Sequence, residues 1–390
     1  MERRVIWPPR VIQQTPLGTL RDDTGNWLPR DIGRSSQLAN GHVVVQFGDT
    51  FDHNRNGQFL GVKDNTCAIV PDTNNPTLSK YANHPDNNEV PVFVRQYPNE
   101  FDIPTKFWSF SGIVETGKGE NGIIQGYTWF KVTRMDGNMQ EDYLHMGIAK
   151  VEYDPANRRI RALRVTSDAT DFGGMRASED AAFPSFGSIC AIRVDPHIYL
   201  YGQTQDGKKD VVLARVLIPL ADSCAFYEFW AGNGWSSNVK DCCPVMSQIE
   251  HGQVFLTNMF GENSEYKYCF VGCSSWGDSK VLMARAINAE GPWSDLSALE
   301  VELYSSNPNR PPTGPFNYCM YPHPWALGFN AENGMERTGD LMITWSEGGV
   351  NGCVLAASIR LKMEERRLED RTGLASVRDD VRRRVRFNFA

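Results

Sequence analysis

The sequence predicts an all-β fold, a five-bladed β-propeller with a short C-terminal helix. Aromatic residues, which favour strands, make up 11% of the 390 residues. A unit of strand, polar turn and strand also recurs along the chain, and each copy ends in an apolar run centred on alanine. The three clearest copies are Ile198–Gln203 with Val211–Val216, Cys269–Cys273 with Val281–Ala286, and Leu341–Ser346 with Cys353–Ser358.

The alanines of these runs set the length of the repeat. With two weaker copies upstream they are Ala68, Ala149, Ala214, Ala284 and Ala356, at intervals of 81, 65, 70 and 72 residues. A repeat this long holds about four strands and fits a propeller blade better than a solenoid coil. We expect one domain over residues 1–361, in which the first strand of each blade lines a central channel. Chance is the alternative, since Val-Leu-Ala runs are common in β proteins.

The end of the chain differs in composition. Residues 360–386 are dense in charge, and Val377, Val381 and Val385 recur at a helical spacing. This pattern predicts a charged helical tail over residues 362–390 that packs on the propeller through the valines. A docking segment for a partner is the alternative.

Composition and charge argue against several classes of partner. The net charge of −7 predicts no binding to nucleic acid or to an anionic membrane surface. No run of about 18 apolar residues is present, so no membrane-spanning helix is expected. The histidines and cysteines lack metal-ligand spacing and no nucleotide-binding motif occurs, so neither a metal nor a cofactor is expected.

Three features predict a reduced, cytoplasmic protein. The N-terminal residues include basic side chains but not the apolar region of a secretory signal. The nine cysteines are odd in number and scattered, which does not indicate a disulfide framework. The single Asn-x-Thr sequence, at Asn75, has proline at its centre and cannot accept a glycan.

The segment from Pro29 to Phe51 is the first candidate for a functional site. Two strand-like runs are joined by Asn40-Gly41, a strong hairpin turn signal. Each run carries one aspartate near its outer end, Asp31 and Asp49. Two carboxylates at one rim can perform acid/base chemistry, and they can equally cap turns in a structural hairpin.

The residues around these aspartates add to the candidate site. Asp31 lies between Arg30 and Arg34. Flanking guanidinium groups would hold the carboxylate ionised, which suits a nucleophile or an electrostatic stabiliser, and both arginines are candidate substrate-binding residues. His53, shortly after Asp49, is a further candidate, although a surface loop histidine is the commoner outcome.

Aromatic clusters stand where the inner strands of later blades should begin. They include residues 107–110, 183–186 and 318–325. Most of these rings should pack between blades, and one or two per cluster should line the mouth of the channel, where they would stack on a flat or cyclic ligand. The candidate substrate-binding residues from this reasoning, with one methionine added, are Trp108, Phe186, Met246, His323 and Trp325.

Several of these motifs resemble a family of known enzymes. They are Arg30–Leu38 with Phe47–Phe51, Phe226–Trp230 with Gly232–Trp235, and Gly291–Ser294. Together they resemble segments of the five-bladed-propeller glycoside hydrolases, a group that includes bacterial endo-D-arabinanases. This resemblance implies a furanoside substrate and implies that Asp31 and Asp49 are the catalytic carboxylates of a retaining hydrolase.

The chain departs from that family in one respect, because an arabinan-degrading enzyme meets its polymer outside the cell. The missing export signal makes the overall character similar to that of the fungal hetero-Diels–Alderases of tropolone–sesquiterpenoid pathways, although no single motif carries this second similarity. In such an enzyme the aromatic mouth would hold two apolar partners, a quinone-methide-type diene and a terpene alkene, in near-attack geometry.

Three hypotheses follow. A cytoplasmic cyclase of natural-product metabolism that acts on apolar or aromatic small molecules is favoured. A retaining glycoside hydrolase that uses Asp31 and Asp49 is the alternative. A non-catalytic propeller scaffold explains the fold alone and leaves both aspartates without a role.

Overall fold

The computed structural model describes most of the chain, and its strands form five antiparallel sheets arranged as the blades of a propeller. The predicted five-bladed β-propeller is therefore confirmed. The described residues are 3–5, 7–26, 28–54, 56–81, 89–98, 105–109, 111–135, 141–165, 183–261, 264–275, 277, 280–306, 317–327, 329–331, 336–348 and 352–367.

The described residues from 3 to 164 form the N-terminal strands and the first two blades. The strands up to the end of blade 1 are β1 (Arg3–Val5), β2 (Arg10–Thr19), β3 (Arg21–Asp22), β4 (Arg30–Gln37), β5 (Val43–His53), β6 (Phe59–Lys63), β7 (Thr66–Val70) and β8 (Leu78–Ser79). Blade 2 contains β9 (Thr105–Trp108), β10 (Val114–Lys118), β11 (Ile124–Met135), β12 (Glu141–Asp154) and β13 (Arg159–Arg164).

The remaining blades follow in order along the chain. Blade 3 contains β14 (Ser185–Val194), β15 (His197–Gln203), β16 (Val211–Leu217), β17 (Glu228–Trp230) and β18 (Trp235–Ser236). Blade 4 contains β19 (His251–Leu256), β20 (Tyr268–Cys273), β21 (Val281–Asn288), β22 (Gly291–Trp293) and β23 (Ser297–Leu299). Blade 5 contains β24 (Asn317–His323), β25 (Phe329–Ala331), β26 (Glu336–Glu347) and β27 (Cys353–Arg367). Short 3-10 helices span Ile218–Leu220, Cys224–Phe226 and Val239–Asp241.

The alanine repeat corresponds to one position in each blade. Counted outward from the axis across each sheet, every repeat alanine lies on the third strand, where it pairs with the second strand. Each of these side chains is fully buried. A methyl group is small enough for neighbouring blades to pack face to face at these points. The five positions are Ala68, Ala149, Ala214, Ala284 and Ala356.

The N-terminal segment closes the ring. Strand β2 pairs antiparallel with β27, from Thr19 opposite Leu355 to Arg10 opposite Lys362, so the last blade contains strands from both ends of the chain. The repeat pattern did not predict this pairing, because β2 shares no motif with the other blades.

Strand β27 extends beyond residue 361, the predicted end of the propeller domain. It continues to Arg367, so residues 362–367 are a strand and not the start of the predicted helix. The alternating burial of Leu361 and Met363 explains this, since one face of the strand packs on the core. The rest of the predicted tail, residues 368–390, lies outside the described residues.

In four blades a residue with φ between 52° and 93° lies within the inner strand or two residues before it. A bulge at such a point turns the strand where the backbones crowd around the axis. These residues are Ile32 and Gly33 in blade 1, Gly112 in blade 2, Gly187 in blade 3 and Cys319 in blade 5.

Arg34 fills the channel beyond these bulges. Its side chain is buried, its Nη1 donates to the carbonyl oxygen of Ile189 at 2.7 Å, and its guanidinium lies 5.4 Å from the ring centre of Tyr321. Burial lowers the pKa of this guanidinium below its usual range. Arg34 lines a cavity of about 760 Å³ at one mouth of the channel, and a separate cavity lies at the other mouth.

A pair of glycines tests how tightly the channel is packed. A Cβ at Gly112 would lie 2.8 Å from Nε of Arg34, whereas a Cβ at Gly207 would meet nothing within 4 Å, and both glycines have φ of 79°. We expect Gly207→Ala to cost about 1–2 kcal/mol of unfolding free energy, the strain of a left-handed alanine. Gly112→Ala should cost about 1–3 kcal/mol more, because buried Arg34 must shift.

Denaturant unfolding of the two variants measures this difference directly. Equal losses of stability would contradict the tight packing of Arg34 against the blade 2 strand.

Candidate functional site

A cavity of about 380 Å³ lies on the propeller axis at the end where the inner strands begin, and we call it the axial cavity. All five blades contribute to its lining, as the sequence pattern predicted for the channel mouth. The lining residues are Asp31, Ile32 and Asp49 from blade 1; Trp108, Lys131 and Glu141 from blade 2; Ser185, Ser188 and Gln203 from blade 3; Glu250 and His251 at blade 4; and Tyr318 and Cys319 from blade 5.

Asp31 is held against the backbone of the neighbouring strand. The hydroxyl of Tyr318 donates to its Oδ2 at 3.0 Å, and the amide of Asp49 donates to the same carboxyl group. Its Oδ1 is buried against Gly48 and has no hydrogen-bond partner within the described part of the chain. A side chain at position 48 would collide with this oxygen, so glycine is required there.

Burial gives Asp31 an unusual affinity for its proton. Desolvation, followed by the negative charge of Asp49, raises the pKa of Asp31 to about 7. The hydrogen bond from Tyr318 and the charge of Lys106 oppose this shift without cancelling it. At neutral pH Asp31 therefore exists in both protonated and ionised forms.

This result corrects the prediction that two arginines hold Asp31 ionised. The guanidinium of Arg30 is directed into blade 1, where it stacks 3.7 Å from the ring centre of Phe47 and donates to Ser79 at 2.8 Å. Arg34 lies further along the channel and lines the opposite mouth. Adjacent strand residues point to opposite faces, so Arg30 is directed away from Asp31. Two irregularities in the pairing, between Arg30 and Ile32 and between Ile32 and Arg34, separate Asp31 from Arg34 along the strand.

Asp49 is an ion-paired carboxylate. Its two oxygens accept from Nζ of Lys106 at 3.0 and 2.7 Å, and the same ammonium lies 4.8 Å from the ring centre of Trp108. Lys106 and Trp108 lie on strand β9. Asp64 anchors this strand, because its Oδ2 accepts from the amide of Phe107 at 2.6 Å. Burial raises the pKa of Asp64 to about 6.

A second group of ionisable residues lines the other side of the axial cavity. Burial lowers the pKa of Lys131, and the charges of Glu141 and Glu250 partly restore it. Burial also lowers the pKa of His251 to about 4, so this imidazole is neutral at physiological pH. Glu250 forms an ion pair with Lys209 at the edge of the cavity.

Aromatic and apolar groups form the floor beside Asp31. Ile32, Trp108, Tyr318 and Cys319 belong to one buried cluster. The indole Nε1 of Trp108 donates to Glu141 at 3.1 Å, which fixes the plane of the ring. Burial and the nearby Asp31 raise the pKa of the Tyr318 phenol, so it remains a neutral hydrogen-bond donor.

The structure brings three of the predicted site residues together. Asp31, Asp49 and Trp108 line the axial cavity. His53 is partly buried near the cavity but does not line it, and its Nδ1 lies 3.0 Å from the carbonyl oxygen of Phe51.

The other predicted substrate-binding residues belong to the core. Phe186 packs within blade 3 against Phe229, and Met246 is buried beside Val211, so neither reaches the axial cavity. A cluster of aromatic residues indicates the start of an inner strand but not which face each ring occupies.

His323 and Trp325 also contribute to packing. The Nδ1 of His323 lies 2.5 Å from Oγ of Ser35, the same hydroxyl that accepts from Nε1 of Trp325 at 2.6 Å. His323 is buried at the far end of its inner strand, and burial lowers the pKa of its imidazole to about 3.

Sequence reasoning missed most of the polar lining. Glu250 and His251 lie at the start of the blade 4 inner strand, as Asp31 does in blade 1. Polar residues at the predicted start of each inner strand would therefore have been a usable signal. Lys131 and Glu141 lie on the second and third strands of blade 2, and no spacing pattern points to them.

The described residues contain no group of three or more His, Cys, Asp or Glu side chains placed to hold a metal ion. None of their helices is long and apolar enough to cross a membrane.

Comparison with solved structures finds several similar proteins, and the first of the following two shares the fold. A candidate hydrolase from Bacteroides ovatus ATCC 8483 is 15% identical, with a TM-score of 0.52 over 84% of this chain and 85% of its own. A GH43_1 enzyme from Xanthomonas citri is 10% identical, with a TM-score of 0.42 over 90% of each chain. Identities this low show a shared fold alone.

Comparison with families and curated proteins gives a single assignment. No curated protein sequence matches the chain. One family matches residues 19–344, which cover every blade apart from the last strand and the strand that closes the ring. The chain therefore belongs to the family described as "Domain of unknown function (DUF5005)".

Proposed function

We propose that this protein is a retaining glycoside hydrolase in which Asp31 is the general acid/base and Asp49 is the nucleophile. The observation that carries the proposal is the contrast between these two carboxyl groups. Asp31 has a pKa raised to about 7, whereas Asp49 is paired with Lys106. Two carboxyl groups whose environments separate their proton affinities divide naturally into acid and nucleophile.

The positions of the two residues favour retention. Asp31 faces the Gly48–Asp49 segment across neighbouring antiparallel strands, and the backbone amide of Asp49 donates to its carboxyl group, so the two residues are direct neighbours. Retaining enzymes hold their carboxyl groups about 5–5.5 Å apart, whereas inverting enzymes leave room for a water molecule. A close pair therefore suits attack by Asp49 on the sugar itself.

The two steps use the groups as follows. Protonated Asp31 donates its proton to the leaving glycosidic oxygen while Asp49 attacks the anomeric carbon and forms a glycosyl ester. Ionised Asp31 then takes a proton from water, whose oxygen attacks the same carbon and releases Asp49. A pKa near 7 allows Asp31 to perform both roles at neutral pH.

The rest of the cavity lining suits a sugar. Ser185, Ser188 and Gln203 present hydroxyl and amide groups that can bond sugar hydroxyls, and Trp108 offers a ring on which a sugar can stack. The hydrolase description of the Bacteroides ovatus protein, which has the same fold, is consistent with this class. We propose a furanoside as the substrate, following the resemblance to endo-D-arabinanases.

A second candidate is supported by the aromatic floor of the cavity. Ile32, Trp108 and Tyr318 form an apolar surface beside the acidic Asp31. There, Asp31 could protonate the hydroxyl group of a carbinol and release water, and the floor could hold the resulting quinone methide against a terpene alkene for a hetero-Diels–Alder cyclisation. All nine cysteines are free thiols, which suits the cytoplasmic location that we propose in either case.

Replacement of each aspartate tests the hydrolase assignment. Asp31→Asn and Asp49→Asn should each lower the rate of arabinan cleavage by about 10²–10⁴-fold, because each removes a group that acts in the transition state. Release of reducing ends measures the rate, and proton NMR of the first product should show retained anomeric configuration. Asp195→Asn, an exposed aspartate at the opposite face, should leave the rate unchanged.

The same variants separate the two candidates. If both aspartate variants keep a substantial part of the turnover of a tropolone carbinol with a terpene alkene, the hydrolase assignment is wrong. Cleavage of arabinan by the wild-type protein would in turn rule out the cyclase.

The raised pKa of Asp31 predicts two effects of pH. The kcat/KM for hydrolysis should fall as pH rises through about 7, because the acid loses its proton. The folded-state pKa lies above the unfolded value, so this group makes stability fall between about pH 4 and 7, by up to about 1.4 kcal/mol per unit. Asp31→Asn should therefore raise stability relative to wild type at pH 8 more than at pH 4. If the unfolding free energies of wild type and Asp31→Asn change in parallel between pH 4 and pH 8, the raised pKa of Asp31 is contradicted.

Lys106 should control both carboxyl groups. Lys106→Met removes a charge that lowers the pKa of Asp31, so the basic limb of the pH–rate profile should move to higher pH. The rate should also fall, because Asp49 loses its ion-pair partner. Lys150→Met, which breaks the more exposed pair with Asp222, is the matched control and should change neither quantity. If the basic limb of the pH–rate profile does not move in Lys106→Met, the influence of Lys106 on the pKa of Asp31 is contradicted.

A further inference from the structure

The hairpin of blade 1 extends beyond the rim of the axial cavity. Strand β5 pairs with the inner strand β4 only as far as Thr50, opposite Arg30. Its last residues pair instead with β6, where Phe51 lies opposite Val62 and His53 opposite Phe59. This end of the hairpin therefore projects from the face of the propeller that holds the cavity.

One face of the projecting strand continues the lining of the cavity. Side chains alternate along a strand, so Asp49, Phe51 and His53 share a face. The intervening Thr50 and Asp52 are fully buried on the other face, where Asp52 accepts from the amide of Val90 at 2.7 Å. The face that carries Asp49 into the cavity thus also carries an aromatic ring and an imidazole outward.

Strand β6 adds exposed apolar groups to this face. Phe59 is 53% exposed and Val62 is 44% exposed. The ring centre of Phe59 lies 5.4 Å from that of His53 and 6.4 Å from that of Phe51. We call Phe51, His53, Phe59 and Val62 the rim strip.

We propose that the rim strip binds further sugar rings of a chain substrate, outside the axial cavity. This inference rests on the proposed hydrolase function and assigns the surface outside the axial cavity that would hold the further rings of an oligosaccharide or polysaccharide. The cavity, at about 380 Å³, lies near the lower end of the range for sites that enclose small ligands, about 300–1,000 Å³. A longer chain bound at Asp49 must leave through the mouth.

The strip suits a sugar chain in position and chemistry. From Asp49 to His53 the strand advances roughly 13 Å, which offers contacts to more than the one ring at the reacting carbon. Rings such as Phe59 supply the apolar faces on which sugars stack, and the turn residues Asn54 and Gln58, which hydrogen-bond to each other at 3.1 Å, supply polar groups beside them. The strip is also continuous with the cavity through the shared face of β5.

The test measures whether the loss of one aromatic ring of the rim strip weakens binding of a long sugar oligomer more than binding of a short one. In an Asp49→Asn background, which stops turnover, calorimetry measures the binding of arabinofuranose oligomers of two and six residues. Phe59→Ala should weaken binding of the six-residue oligomer about tenfold and leave the two-residue oligomer within twofold. Phe226→Ala, a 54% exposed phenylalanine on blade 3, is the matched control and should change neither affinity.

The possible results separate this inference from the hydrolase assignment. Length-dependent loss in Phe59→Ala supports the rim strip even if the wild-type protein cleaves neither oligomer, in which case only the hydrolase assignment fails. Equal losses for both oligomers, or none for either, overturn the strip, as does failure of both to bind. Concentration-dependent dimerisation that Phe59→Ala abolishes and Phe226→Ala preserves would also overturn it, because the strip would then hold a second copy of this chain.

Discussion

Convergence of five inner strands on one narrow axis is the constraint on which the candidate site depends. Side chains at the first positions of these strands have room only in the cavity above the axis, so each blade contributes there. Further along the channel the backbones crowd, and bulges with positive φ turn them past one another. Arg34 fills the space that remains. The site is therefore a shallow enclosure with a closed floor, and that floor keeps water from Oδ1 of Asp31.

The charges in the cavity follow from this enclosure. Four acidic side chains line it, and three of them have a lysine nearby: Lys106 pairs with Asp49, Lys209 pairs with Glu250, and Lys131 interacts with Glu141. Asp31 relies instead on the Tyr318 hydroxyl and a backbone amide. The raised pKa of Asp31 therefore arises first from its burial and then from the charge of Asp49, which the Tyr318 hydroxyl and Lys106 oppose without cancelling. The two aspartates thus differ in their surroundings, since Asp31 is enclosed whereas Asp49 forms an ion pair with Lys106.

The sequence was sufficient to predict the blades and part of the site. Alanines such as Ala214 recur because the same buried position of every blade packs closely and favours a small side chain. This packing requirement repeats once per blade, so it can be read from the sequence. Asp31 and Trp108 lie near the ends of inner strands, which fold prediction locates. The place of Arg34 beyond the bulges could not be predicted from the sequence, whereas Arg30, as the neighbour of Asp31 on one strand, should have been expected on the opposite face. Lys131 was missed because it reaches the cavity from a second strand.

The position of Asp49 bears on which chemistry the cavity supports. Hydrolysis and dehydrative cyclisation both begin when Asp31 gives up a proton, and both leave an electron-poor carbon beside it. In hydrolysis an ionised carboxylate next to that carbon is the required nucleophile. In cyclisation the same carboxylate would compete with the alkene by adding to the quinone methide, so the site would have to hold the intermediate away from it. Lys106 keeps Asp49 fixed at the cavity wall, and the strand that carries it continues into the rim strip. If the two proposals hold, a sugar chain bound along that strand would place one glycosidic bond beside both carboxyl groups, which is the arrangement that retaining hydrolysis needs.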